Sequence, residues 1–266
     1  NFGDMMIDVE FHKTEVRGGP TERTSFKKFI RSYLRSKFQR AKKLYAVIPF
    51  ESHPEMMQDI ILPSVLNCSE IFLQSATLWM SSGETSSVLH QDDAENFLMM
   101  LDGTKEIMLA NQDHAHNVYA GEALHPGTSA VHQSNVDMET FPRFESIDWE
   151  HGAMSRGDIL YIPNGYWHQV TSHMRNLAVN IWWGHEDEHS WWDSEMDMRT
   201  LGHPNSPHTK SFDHIKRFDS APHKCTPRAT DKLSGDEFID EGDWKEYISR
   251  QRQRTASGQP PRLRDD

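Results

Sequence analysis
Three side chains in this sequence have the types and spacing to hold one metal ion. His90 and Asp92 stand two residues apart at the end of the extended segment Ser87-Val88-Leu89-His90-Gln91-Asp92, so on a strand both point to one side. The third candidate is His168, in a second β-type stretch, residues 161–170. Two imidazoles and a carboxylate on one side of an ion leave the opposite side open, the facial arrangement suited to non-haem Fe(II). A His-x-Asp triplet alone is a weak signal in a chain with 16 histidines. The weight therefore falls on the elements that must carry these residues.

From about Ile71 the apolar pattern takes the period of strands. The runs 71–73 and 77–80 are extended and apolar, and a turn at 81–83 leads to the His90 segment. Runs 96–101 and 104–109 flank Asp102-Gly103, a pair that predicts a β-hairpin and places His90, Asp92 and both arms in one sheet. Arg156-Gly157-Asp158, Pro163-Asn164-Gly165 and residues 173–176 are turn signals between strands at 159–162, 167–172 and 177–183. Short strands with regular turns predict a mainly β sandwich or jelly roll. Residues 110–152 read as a long insertion over the sheet. Its histidines, among them His114, His116, His125, His132 and His151, form no strand-borne pair, so none is assigned as a ligand.

The flanks are simpler. Residues 1–24, broken by Gly18-Gly19-Pro20, read as a lead-in without a core of its own. Thr24 or Ser25 caps a helix whose apolar residues Phe26, Phe29, Ile30, Tyr33, Leu34 and Phe38 recur at helical spacing. A strand at 45–48 and a short helix over 54–62, stopped by Pro63, follow. After Trp183 the pattern fades into the acidic, Trp-containing stretch 186–197, then a polar tail with one short helix at 243–250. The expected organisation is an N-terminal helical region at 1–66, a β core at 67–185 and a C-terminal polar and helical extension at 186–266.

A formal net charge of -12 argues against a general nucleic-acid binder. The charge is uneven, because the basic residues of the 26–43 helix stand in a stretch, 23–50, without a carboxylate. That face is solvated or meets an acidic partner. No apolar run reaches membrane-spanning length. Two cysteines, Cys68 and Cys225, make no disulfide framework, which favours a reducing, cytoplasmic or nuclear setting. Against this, Asn67-Cys68-Ser69 fits a glycosylation acceptor, a triplet frequent by chance. The sequence opens at Asn1 without methionine, which leaves room for a removed targeting segment.

His90-x-Asp92 followed by Pro163-x-x-x-Trp167-His168 resembles the JmjC-domain oxygenases, cupin-superfamily proteins that use Fe(II) and 2-oxoglutarate on a double-stranded β-helix. The likeness covers roughly residues 45–185. Gly157-Asp158-Ile159-Leu160-Tyr161-Ile162-Pro163 and Asn180-x-Trp182-Trp183 bring it nearest the small JmjC protein hydroxylases, the arginyl-hydroxylase type included. The resemblance implies His90, Asp92 and His168 as iron ligands. It implies Lys105 as the partner of the distal carboxylate of 2-oxoglutarate, with Ser87 and Tyr45 as hydroxyl partners. Asn96, Asn180 and Trp182 complete the co-substrate pocket, and O2 is the second co-substrate.

Chemistry supports most of these roles. Asn96 shares the parity of His90 and Asp92; Ser87 does not, and needs a bulge or turn to reach the pocket. A lysine facing inward from an apolar strand asks for an anion. Each residue also has a structural alternative. Lys105 would be the exposed half of an alternating strand, Asn96 a hairpin-edge residue and Asn180 an amide satisfied by backbone. Tyr45, Trp182 and Ser87 would be core or turn residues. The implied reaction is hydroxylation of a protein side chain with release of succinate and CO2. The acidic stretch 186–197 suggests a basic substrate residue, lysine or arginine. With too few cysteines for a zinc reader module, N-methyl-lysine demethylation ranks second. A tRNA-modifying oxygenase and a non-catalytic interaction module are the further alternatives, and Trp191 and Trp192 are candidates for packing in a homodimer.

Overall fold
The computed structural model describes residues 2–35, 43–57, 59–66 and 71–185, all in the first of the chain's two units, Asn1–His223. In chain order the strands are β1 (Met6–Phe11), β2 (Thr21–Ser25), β3 (Leu44–Pro49), β4 (Ile71–Ser81), β5 (Thr85–Ser86), β6 (Glu95–Asp102), β7 (Thr104–Ala110), β8 (Glu150–Ser155), β9 (Ile159–Ile162), β10 (Trp167–Ser172) and β11 (Asn176–His185). Helix α1 (Phe26–Arg35) follows β2, and the single turn α2 (Pro54–Met57) follows β3. A seven-stranded sheet runs β2-β1-β3-β4-β11-β6-β9 and a four-stranded sheet runs β5-β10-β7-β8. The architecture is the jelly roll that the turn signals predict.

Alternation explains the layers. On β11, Val179, Ile181 and Trp183 are buried in one core cluster with Phe29 and Tyr33 of α1, while Ala178 joins a second cluster with Leu98, Met100, Ile107, Met154 and Ile162. The large sheet thus has two covered faces, one against α1 and one against the small sheet. The Ser25 hydroxyl accepts the Lys28 N–H at 3.4 Å, capping α1. Leu34, assigned by spacing to the apolar face, is instead exposed, and Phe38 lies outside the described residues.

Four expectations need correction. The arms flanking Asp102-Gly103 do not pair with each other: β6 pairs with β11 and β9, and β7 with β10 and β8. A flat hairpin would leave Leu98, Met100 and Ile107 uncovered, whereas passing from one sheet to the other lets them meet inside. Residues 1–24 are not a bare lead-in, because β1 and β2 are strands of the large sheet and Ile7 and Val9 are buried. Their signal is faint because Ile7, Val9 and the partly buried Phe11 alternate with Asp8 and Glu10 over a single short strand, and β2 buries no residue. The helix expected over 54–62 closes at Met57. Residues 150–152 belong to β8, and the loop before it has a core of its own around Val118, Tyr119, Val131, Phe144 and Trp167.

Gly103 takes a left-handed φ of 73° at the sheet-to-sheet crossing, and a Cβ there would collide with the Arg175 carbonyl. Gly103→Ala is expected to destabilise the fold by about 2–4 kcal/mol, adding left-handed strain to overpacking. A denaturant titration measures it.

Candidate metal centre
The two histidines are brought together by backbone pairing. His90 donates its N–H to the His168 carbonyl at 3.1 Å and accepts the His168 N–H at 2.7 Å, so they oppose each other directly and project to one side. His90 is therefore attached to β10 of the small sheet, not to β6. The 110–149 loop closes its other side: the Gln91 N–H binds the Gly127 carbonyl and the Ser129 N–H binds the Leu89 carbonyl. The imidazole centroids lie 4.2 Å apart. Asp92 Oδ1 lies 3.8 Å from His90 Nε2 and Asp92 Oδ2 3.7 Å from His168 Nε2. One ligand atom from each residue falls within 4.8 Å of the others.

Second partners fix the orientation. His90 Nδ1 donates to the Val88 carbonyl at 2.8 Å and His168 Nδ1 to the Tyr166 carbonyl at 3.0 Å. A carbonyl only accepts, so each ring carries a proton on Nδ1 and turns Nε2 toward the shared point. Burial, reinforced by His168, pushes His90 down to about 4, keeping it neutral. Burial would raise the Asp92 carboxyl, but the two imidazoles and the Trp182 hydrogen bond outweigh it and hold the group below its ordinary value. Two imidazoles that turn Nε2 inward and a carboxylate are the donor set a divalent ion requires.

Asp92 is held by residues from the large sheet. The Trp182 indole N–H donates to Oδ2 at 2.8 Å, and the Asn96 amide lies 3.4 Å from the same oxygen. Asn180 donates to Asn96 Oδ1 at 2.7 Å. Asn96 and Asn180 therefore reach the pocket as expected, and their hydrogen bonds run to each other and to Asp92. Trp182→Phe removes the strongest of these bonds. We expect metal affinity about 10–100-fold weaker with unchanged circular dichroism, checked by competition with a chelator.

All nine residues named from the sequence line one cavity of about 600 Å³. The regular strand stops at Ser86, which gives Ser87 the irregularity its parity demands. Its hydroxyl accepts the Val170 N–H at 2.9 Å. Tyr45 packs on Trp79, centroids 5.9 Å apart, and burial, then the Glu10 carboxylate, push its phenol above the ordinary range. It is a neutral donor. Lys105 is 4% exposed, so it is not the outward half of its strand. Its Nζ donates to Ser172 Oγ at 3.1 Å, and no carboxylate among the described residues pairs with it. Sequence reading missed Ser172, Trp79 and the Glu10, Lys13 and Arg17 edge of the cavity. Only the shared parity of His168 and Ser172 on β10 could have flagged the serine.

Burial lowers Lys105 to about 8. A dicarboxylate binds the charged form, so the sign of the expected effect is set: with Lys105 as its partner, 2-oxoglutarate should bind with constant affinity below pH 8 and lose up to about tenfold per unit above it. Calorimetric titrations between pH 7 and 10 measure the break. A buried ammonium without a counter-charge beside a three-ligand group fits a metal and an anionic co-substrate together.

A β-walled pocket with such a centre defines a class, the cupins, and the comparisons agree. Residues 8–189 match the family described as a cupin-like domain, and the chain belongs to that family. Lysine-specific demethylase 8 of Danio rerio is 34% identical over 138 residues, 50% of this chain and 34% of the relative. Lysine-specific demethylase JMJ30 of Arabidopsis thaliana is 30% identical over 192 residues, 71% and 45%. The tRNA wybutosine-synthesizing protein 5 of Mus musculus is 28% identical over 153 residues, 58% and 47%. The chain thus spans about a third to a half of the length of these curated relatives. Its domain is a JmjC-type cupin, whose cofactors are Fe(II) and 2-oxoglutarate, with O2.

Proposed function
We propose that this chain is an Fe(II)- and 2-oxoglutarate-dependent oxygenase that hydroxylates a protein side chain, lysine or arginine favoured. The observation that carries the reading is the meeting, in one cavity, of a His90–Asp92–His168 group with the uncompensated ammonium of Lys105. His90, Asp92 and His168 hold the metal. Lys105 receives the distal carboxylate of 2-oxoglutarate, with Tyr45 and Ser87 as hydroxyl partners and Asn96, Asn180 and Trp182 shaping the wall. Bound together there, iron, the keto acid and O2 supply the oxidation that releases succinate and CO2 and inserts one oxygen atom into a C–H bond. The protein's part is to orient these groups and keep water from them.

The cavity is larger than a five-carbon diacid, which leaves room for a substrate side chain. Tyr45, Trp79 and Trp182 give it an aromatic wall, with Trp79 and Trp182 centroids 6.4 Å apart. The charges on its lining balance, Glu10 and Asp93 against Lys13 and Arg17, with Glu10 paired to Lys13 at 3.2 Å, so the aromatic wall is the feature that suits a cationic side chain. The stretch 186–197 lies outside the described residues and adds nothing to this argument.

Relatives named as lysine-specific demethylases favour a second reading, oxidation of an N-methyl carbon at the same site. A relative named for tRNA wybutosine synthesis adds a third, against which the net charge of -12 weighs. Mass spectrometry of basic peptides, their methyl-lysine forms and RNA incubated with Fe(II), 2-oxoglutarate and the protein separates them. A gain of one oxygen on unmethylated peptide is expected; loss of a methyl group alone, or change only in RNA, would replace this substrate assignment.

For residence in the cell the described residues say only that no helix is long and apolar enough to cross a membrane. Cys68, Cys225, Trp191 and Trp192 lie outside them, so the glycosylation and homodimer expectations rest on sequence alone.

A further inference from the structure
A lysine side chain is a flexible stem, and a cavity of about 600 Å³ offers its ammonium many positions. In this protein Lys105 Nζ has one hydrogen-bond partner among the described residues, the Ser172 hydroxyl at 3.1 Å. Ser172 is 2% exposed and does not line the cavity, so it meets the cavity's contents only through Lys105. It also shares a face of β10 with His168 and Val170. One strand therefore carries a metal-site histidine at one end and the anchor of the ammonium at the other, four residues or roughly 13 Å away. That span suits a metal, a short diacid and an ammonium in series.

We propose that Ser172 is a positioning residue, which fixes the Lys105 ammonium at the far end of the pocket and aims its remaining N–H donors at the distal carboxylate. The proposal rests on the reading of Lys105 given above. An ammonium has three donors and a hydroxyl oxygen takes one, leaving two for the two oxygens of a carboxylate. A hydrogen bond to the charged form also favours it, so Ser172 keeps Lys105 protonated where burial works against it. The other groups that titrate around the cavity are Tyr45 on β3, the His90–Asp92–His168 group, and Glu10, Lys13, Asp93 and Arg17 at its edge. None forms an ion pair with Lys105. From β6, β8 and β11 the neighbours are the uncharged Asn96, Met154 and Asn180.

The test uses the full chain loaded with a redox-inert divalent ion, and calorimetric binding of 2-oxoglutarate from pH 7 to 10. Ser172→Ala should weaken binding about tenfold and move the pH break downward by about one unit, with metal affinity unchanged. Ser172→Thr, which restores the hydroxyl, should recover both. Binding of Ser172→Ala with the original affinity and pH break overturns the proposal, and so does a loss of affinity that leaves the break in place. Lys105→Met run alongside separates the two levels. If it binds normally, the reading of Lys105 fails and this one with it; if it binds weakly while Ser172→Ala does not, only the role of Ser172 falls.

Discussion

Lys105→Met is expected to weaken 2-oxoglutarate binding by about 30- to 4,000-fold, the range for truncating one partner of a buried charge pair, 2–5 kcal/mol. The same change should leave the fold intact or stabilise it. In the protein alone Lys105 is 4% exposed, with the Ser172 hydroxyl its one hydrogen-bond partner among the described residues, and its depression from 10.5 to about 8 corresponds to about 3 kcal/mol of desolvation cost at neutral pH. Methionine fills similar space without that cost. Each recovered kcal/mol raises the melting temperature by about 2–4 °C. Affinity falling while thermal stability holds or rises is the signature of a residue kept for its ligand. A parallel fall in both would mark Lys105 as a packing residue.

Asp92→Ala should have the other large effect. Asp92 supplies the one anionic ligand of the group and faces both imidazoles, 3.8 and 3.7 Å away. Without it, two neutral nitrogens remain. Metal affinity should drop by more than the roughly 10–100-fold that follows loss of an outer partner, and succinate formation should disappear. His90→Ala should behave alike. The fold should lose some stability as well, because the Trp182 N–H is orphaned, about 1–3 kcal/mol, and the lowered carboxyl shows that the folded protein favours the Asp92 charge; circular dichroism checks that the variant still folds. Metal content per folded chain is the measurement, and turnover undiminished in either variant would end the assignment.

How much of this was legible in the sequence differs between strands and site. The apolar runs marked β6, β7 and β9 to β11 almost to their ends, and β4 in two pieces, because these strands carry most of the buried apolar residues of the two sheets. Pairing was not legible. Asp102-Gly103 does turn the chain, but whether its arms pair or part depends on what else can cover Leu98 and Ile107, and those partners, Met154 and Ile162, lie some fifty residues on. β1 was missed because Asp8 and Glu10 alternate with its buried Ile7 and Val9, and β2 because this edge strand buries none of its residues. All nine site residues reach the cavity; six stand on strands, whereas Ser87, His90 and Asp92 lie between β5 and β6, with His90 placed by its isolated bridge to His168. Ser172 stayed hidden because its role exists only through a side chain from another strand.

A metal held by His90, Asp92 and His168 and the ammonium of Lys105 should bind the two ends of one diacid. Calorimetric titration of 2-oxoglutarate into the protein, with and without one equivalent of a divalent metal, tests it most directly. The expected result is one diacid per chain with metal present, far weaker binding without it, and loss of the metal effect in Asp92→Ala. Equal affinity with and without metal, or a metal effect that survives in Asp92→Ala, would show that the diacid does not bridge the metal and Lys105.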